Sequence, residues 1–197
     1  TIPSQSEHIF YDDLINPHSF TLQFHKKYII TTRAESLIII HQQRAHQRVM
    51  YESLLRQIKQ RSVPSQILAF PIQVEMNQQQ FVEFTPHQKT LELMGFSFGN
   101  TDSKSIEITA IHNSLSPNSV PEFLSNMLDN LDNDPTDEES HLSQMMAKTM
   151  SKYGAISSGM DLHPSAQSRL IEDLFSCDEP SRCPEGKAIF ASMTDND

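Results

Sequence analysis

The chain has 197 residues, 37% of them hydrophobic, with no apolar run near the length of a bilayer span and a polar rather than signal-like start at Thr1. That length can bury a sizeable core, as one domain or as two small lobes. With 15 basic against 25 acidic residues the net charge is -10, so the average surface repels phosphate; this excludes a free-standing nucleic-acid binder and leaves only local or indirect DNA contact.

Residues 1–19 are polar and punctuated by Ser and Pro, and they read as a linker or arm; the missing initiator Met marks the chain as a fragment. Alternation of Leu22, Phe24, Tyr28 and Ile30 predicts a strand over 20–32, and the turn Arg33-Ala34-Glu35 joins it to a strand over 36–41 as a hairpin. Ile38, Ile39 and Ile40 form a continuous apolar run, too short for a membrane but suited to a buried strand. Val49, Leu54 and Ile58 then recur at helical spacing, predicting a helix over 43–61 that stops before Pro64. A second unit follows over 66–132, with a strand at 72–76 and a helix over 78–94 that Thr85-Pro86 restarts or kinks. Strands at 96–98 and 106–111 and a short helix over 121–131 complete it. The acidic, Pro-interrupted run NLDNDPTDEES over 130–140 reads as an exposed connector. A helix over 141–153 carries Met145, Met146 and Met150 near one face, a pattern of core filler. Pro164 opens a further helix through Leu170, Ile171, Leu174 and Phe175, and 187–193 ends the chain as a strand. No internal repeat is present.

Two cysteines, Cys177 and Cys183, are spaced neither as a CxxC redox pair nor as a disulfide framework, and they read as reduced thiols of a cytosolic protein. Among nine histidines, His41 and His46 sit poorly for one helical face, and no HExxH or Cys/His ligand spacing occurs.

The stretch Ser36 to Glu52, SLIIIHQQRAHQRVMYE, carries the main resemblance. HQQRAHQRVMYE is similar to the strand-to-helix junction of the MutL C-terminal domain of DNA mismatch repair. Nuclease-competent members read Asp-Gln-His-Ala there, then Glu after two residues and a second Glu after four more. In this chain His41 replaces the Asp, Gln43 the His, Arg44 the Ala and Gln47 the first Glu, and of the acids only Glu52 survives. Near the C-terminus, DEPSRCPEGKAIF resembles the family segment Cys-Pro-His-Gly-Arg-Pro: Cys183, Pro184 and Gly186 match, while Glu185, Lys187 and Ala188 differ. SKYGAISSG over 151–159 resembles the Ala-Cys-Arg region and puts Lys152 at the Cys position. Gln66, Ile67, Leu68, Ala69, Phe70 and Pro71 resemble the family's sliding-clamp-binding motif, in which Leu68 and Phe70 would enter an apolar groove while the Gln66 amide bonds at its rim.

The resemblance implies a two-lobed α/β (α+β) fold. Its dimerisation lobe would combine residues 20–65 with 141–197, and a regulatory lobe, 66–140, would be inserted between them. The implied role is that of a homodimer that brings paired N-terminal ATPase domains together at high effective concentration. The implied partners are the replication sliding clamp and the mismatch-recognition protein of the pathway; DNA is contacted indirectly and membranes not at all. Relatives are thought to hold zinc or manganese with these motifs. In this chain amides and a lysine replace several of the ligands, leaving Cys183, Glu185 and Glu52, so the implication is a member with no cofactor, no catalytic residue and no endonuclease activity. The alternative is a nicking endonuclease with an altered ligand set of Glu52, Cys183 and Glu185 with His41 or His46.

Overall fold

The computed structural model describes residues 20–33, 35–102, 104–132 and 139–194; the arm predicted over 1–19 and most of the acidic connector lie outside them. Strands and helices divide between two compact units, one made of residues up to Val49 with those from Ile156, the other of Met50–Ala155. These limits differ from 65 and 141: the helix after the junction is shared between the units, and the helix predicted over 141–153 belongs to the second.

The first unit is a four-stranded antiparallel sheet, β1 (Thr21–Phe24), β2 (Tyr28–Arg33), β3 (Ser36–His41) and β7 (Phe190–Met193), in the order β1-β2-β3-β7. The single strand predicted over 20–32 is two strands, because His25 and Lys26 adopt φ of 52° and 51° and turn the chain back on itself. The β2–β3 hairpin is as predicted, with Ile29 opposite Ile40 and Thr31 opposite Ile38. These four side chains face inward and are buried. With Ala45 of helix α1 (Gln42–Gln60), Leu170, Leu174 and Phe175 of α5 (Pro164–Phe175), Cys183 and Ile189, the three isoleucines form one core. Burying each isoleucine is worth about 2 kcal/mol, so this inner layer is what holds the sheet to its helices.

The second unit packs α2 (Gln78–Leu93), α3 (Val120–Asp132) and α4 (Glu139–Gly154) with a three-stranded antiparallel sheet ordered β4-β6-β5. Its strands are β4 (Ser65–Glu75), β5 (Ser97–Thr101) and β6 (Ser105–His112). β6 is central and supplies Ile106, Ile108 and Ile111 to the core, beside Phe84, Leu91, Phe96, Phe123, Met146 and Met150. The rings of Phe96 and Phe123 stack at 5.5 Å. Met146 and Met150 are buried fillers of this core, as their spacing predicts. Helix α2 begins at an Asn77–Gln80 capping box and continues through Pro86 instead of restarting there. It stops at Gly95, whose φ is 90° and where a Cβ would lie 3.1 Å from the Pro64 carbonyl oxygen, so that a side chain there would be strained. β4 is the largest departure from expectation, since it starts at Ser65 and absorbs 66–71 into a strand. The mixed α+β class is as expected, with five α-helices and two antiparallel sheets among the described residues.

Candidate functional site

Strand alternation divides the first unit's sheet into a buried face and an outer one. On the outer face the register aligns Leu22, Ile30, Ile39 and Ala191 in one row, with Thr32, Leu37 and Met193 on one side and Phe24, Tyr28 and His41 on the other. Leu22, Phe24, Leu37 and Met193 are exposed, and Ile30 and Ile39 only half-buried. A contiguous apolar layer of this kind across a whole sheet is the signature of a surface that another protein covers.

The positions singled out at the strand-to-helix junction fall in both units, Glu52 in the second and His41, Gln43 and Gln47 in the first. His41 is half-buried, and its Nδ1 receives the Arg44 N–H at 3.4 Å. Burial, then the charges of Arg44 and Lys27, hold its pKa below the usual histidine value. His46 is held low mainly by burial, against the opposing charge of Asp173, and its Nδ1 accepts the Ile156 N–H at 3.2 Å. Gln43 is half-buried, and Gln47 is buried with its Nε2 unbonded. Glu52 is buried in the second unit, where exposed Lys152 sits over the Tyr153 ring at 5.8 Å. Cys183 is buried in the turn that carries Gly186 at φ 78°, and Glu185 pairs with Lys187 at 3.1 Å. Gln43 and Gln47 offer neutral amides, weak ligands for a transition metal, and Glu185 is held in an ion pair with Lys187. Among the described residues no group of three His, Cys, Asp or Glu side chains is placed to hold a metal ion.

Two polar residues at this junction went unnoticed in the sequence. Arg48 is buried, donating from Nε to the Arg182 carbonyl at 2.7 Å and from Nη2 to Glu179 at 3.1 Å, which anchors α1 to the Cys183 turn. Gln42 is wholly buried. It occupies the Gln of the Asp-Gln-His-Ala pattern, the one signal that could have drawn attention to it.

In the second unit, residues 66–71 lie on β4, an edge strand of its sheet. Gln66 pairs with Ile111 and Ile67 with Ala110, and the register then shifts before resuming at Ile72 opposite Ile108. The alternation that leaves Gln66, Leu68, Ile72 and Val74 half-buried fails at Phe70, which the irregularity leaves exposed. Ile67 and Phe70 are 89% and 87% exposed, whereas Leu68 is half-buried against the unit's core. The exposed pair is therefore Ile67 and Phe70, and Leu68 is a packing residue. Ala69 and Pro71 are exposed and Gln66 half-buried.

No helix among the described residues is long and apolar enough to cross a membrane. Residues 21–162 match the family described as the MutL C-terminal dimerisation domain. The chain is 31% identical over 174 residues to the DNA mismatch repair protein MutL of Christiangramia forsetii, covering 88% of the chain and 28% of that relative. It is 32% identical over 177 residues to MutL of Flavobacterium psychrophilum, covering 90% and 29%. It is 28% identical over 186 residues to MutL of Flavobacterium johnsoniae, covering 94% and 29%. The chain thus spans under a third of the length of these relatives, and on its own matched residues it belongs to the MutL C-terminal dimerisation domain family of DNA mismatch repair.

Proposed function

We propose that the chain is a homodimerisation and partner-interaction module of mismatch repair in the cytoplasm, and that two copies pair face to face through the outer layer of the first unit's sheet. The observation that carries this is the contiguous apolar row structure in which Leu22, Phe24, Leu37 and Met193 are 38–51% exposed in a single copy and Ile30 and Ile39 are half-buried. A two-fold pairing of one face with itself would cover it with nothing else required. Sedimentation of the chain across micromolar concentrations tests the proposal: a dimer is expected, and a persistent monomer overturns it.

A second contact is proposed for β4. Ile67 and Phe70, three residues apart on an edge strand and almost fully exposed, suit docking into an apolar groove of the replication sliding clamp. The mismatch-recognition protein is the further partner proposed, with DNA reached through these assemblies in keeping with the net charge of -10. The donor chemistry at Gln43, Gln47 and Glu185 supports a module without endonuclease activity.

A further inference from the structure

Gln42 opens α1, yet its side chain turns away from the helix and is wholly buried. Its Nε2 donates to the Lys26 carbonyl at 2.9 Å and to the Met160 carbonyl at 2.9 Å, and its Oε1 accepts from Gln23 Nε2 at 2.6 Å. Gln23 lies on the inner side of β1; it also donates to the Met160 carbonyl at 2.8 Å and accepts the Leu162 N–H at 3.2 Å. The backbone joins in, with the Gln42 N–H on the Lys27 carbonyl at 3.0 Å and the Gly159 N–H on the Lys26 carbonyl at 3.2 Å. The turn at 25–27, the first residue of α1 and the 159–162 segment are thus tied together by two glutamine amides that leave none of their own atoms unbonded, and a part-buried network satisfied in this way favours one arrangement.

That arrangement bears on the outer face. Among the described residues β1, an edge strand of four residues, pairs with β2 alone, and the turn between them holds two non-glycine residues at positive φ, so the hairpin is weakly specified by itself. Yet Leu22 and Phe24, two of the exposed apolar side chains of that face, are on β1. Gln23, between them and pointing the other way, is the residue the network grips. We infer that Gln42 is a positioning residue for dimerisation: through Gln23 and the Lys26 carbonyl it holds the β1–β2 hairpin in the sheet and so keeps Leu22 and Phe24 in the pairing face. The inference rests on the dimerisation reading above.

The test is Gln42→Met, which keeps length and burial but removes both donors and the acceptor. It is read by hydrogen exchange resolved along the 197-residue chain and by sedimentation. The expected result is loss of amide protection in 21–28 by about tenfold or more with protection in β3 and α5 unchanged, accompanied by a dimer dissociation constant raised roughly tenfold or more. Unchanged protection in 21–28 overturns the inference, as does local deprotection with an unchanged dissociation constant, and a uniform loss across β3 and α5 shows a general stability role instead. A monomeric wild-type chain sinks the dimerisation reading by itself, while exchange in the variant still decides whether Gln42 holds the hairpin. Should Gln42→Met fail to fold, Gln23→Ala cuts the same network from its half-buried end and is held to the same two outcomes.

Discussion

Replacing both Leu22 and Phe24 with Ala is the most direct challenge to the outer face. The two side chains are 48% and 51% exposed in a single copy, so about half of each remains to be covered on pairing. Full burial of such a side chain is worth about 2 to 3 kcal/mol, which leaves roughly 1 kcal/mol for each exposed half. Because a two-fold interface uses every residue twice, the double substitution removes about 4 kcal/mol, close to a thousandfold in dissociation constant. Neither side chain belongs to the first unit's core of Ile29, Ile38, Ile40 and Leu174, so circular dichroism and melting should remain close to wild type. Sedimentation velocity over nanomolar to tens of micromolar reads the shift. A folded double variant that dimerises with wild-type affinity would refute the assignment of this face.

Ile67→Ala with Phe70→Ala should weaken clamp binding by on the order of 2 kcal/mol or more in surface plasmon resonance without altering dimerisation, whereas Leu68→Ala should lower stability by about 1 to 2 kcal/mol; equal clamp binding by wild type and the double variant rejects the β4 contact. Purified protein should hold no stoichiometric zinc and melt at the same temperature with and without chelator, and it should leave supercoiled plasmid intact with manganese; bound zinc at one equivalent per chain or nicking would reinstate an altered metal site. His112 is buried and its pKa is held below the usual value by that burial, so the native state resists a proton that the unfolded chain accepts near pH 6.5. Stability should be fully present above that pH and fall as pH drops through it toward the lower native value; His112→Gln should flatten the dependence of the urea midpoint between pH 7.5 and 5.5, and an unchanged slope would show that other groups govern it.

Fold class and most element positions were legible because the signals are local. The helical recurrence of Val49, Leu54 and Ile58 marks α1, and the Ile38–Ile40 run marks β3. In a strand consecutive side chains face opposite ways, so Ile39 had to stand on the other surface from Ile38 and Ile40, which makes the run a sign that both surfaces are to be covered. The break between β1 and β2 was hidden because His25 and Lys26, neither of them glycine, occupy the left-handed region there, an arrangement fixed by contacts distant in sequence. Gln42 and Arg48 were hidden for a related reason. Their partners at Met160, Glu179 and Arg182 come from far along the chain, and nothing in a polar side chain's immediate neighbours tells whether it will be solvated or enclosed. The register shift that leaves Phe70 exposed likewise belongs to the pairing of β4 with β6 rather than to β4.

That shift has a bearing on whether stray chains can add themselves to this edge. A long edge strand bearing Ile67 and Phe70 is the kind of surface on which stray chains add themselves as extra strands and begin to precipitate. Pro71 has no amide hydrogen to offer such a newcomer, and the irregular stretch from Ile67 to Ile72 spoils the even spacing it would need. The protein can therefore display two large greasy side chains in the open while denying its backbone as a template, so that whatever settles there must recognise side-chain shape rather than extend the sheet.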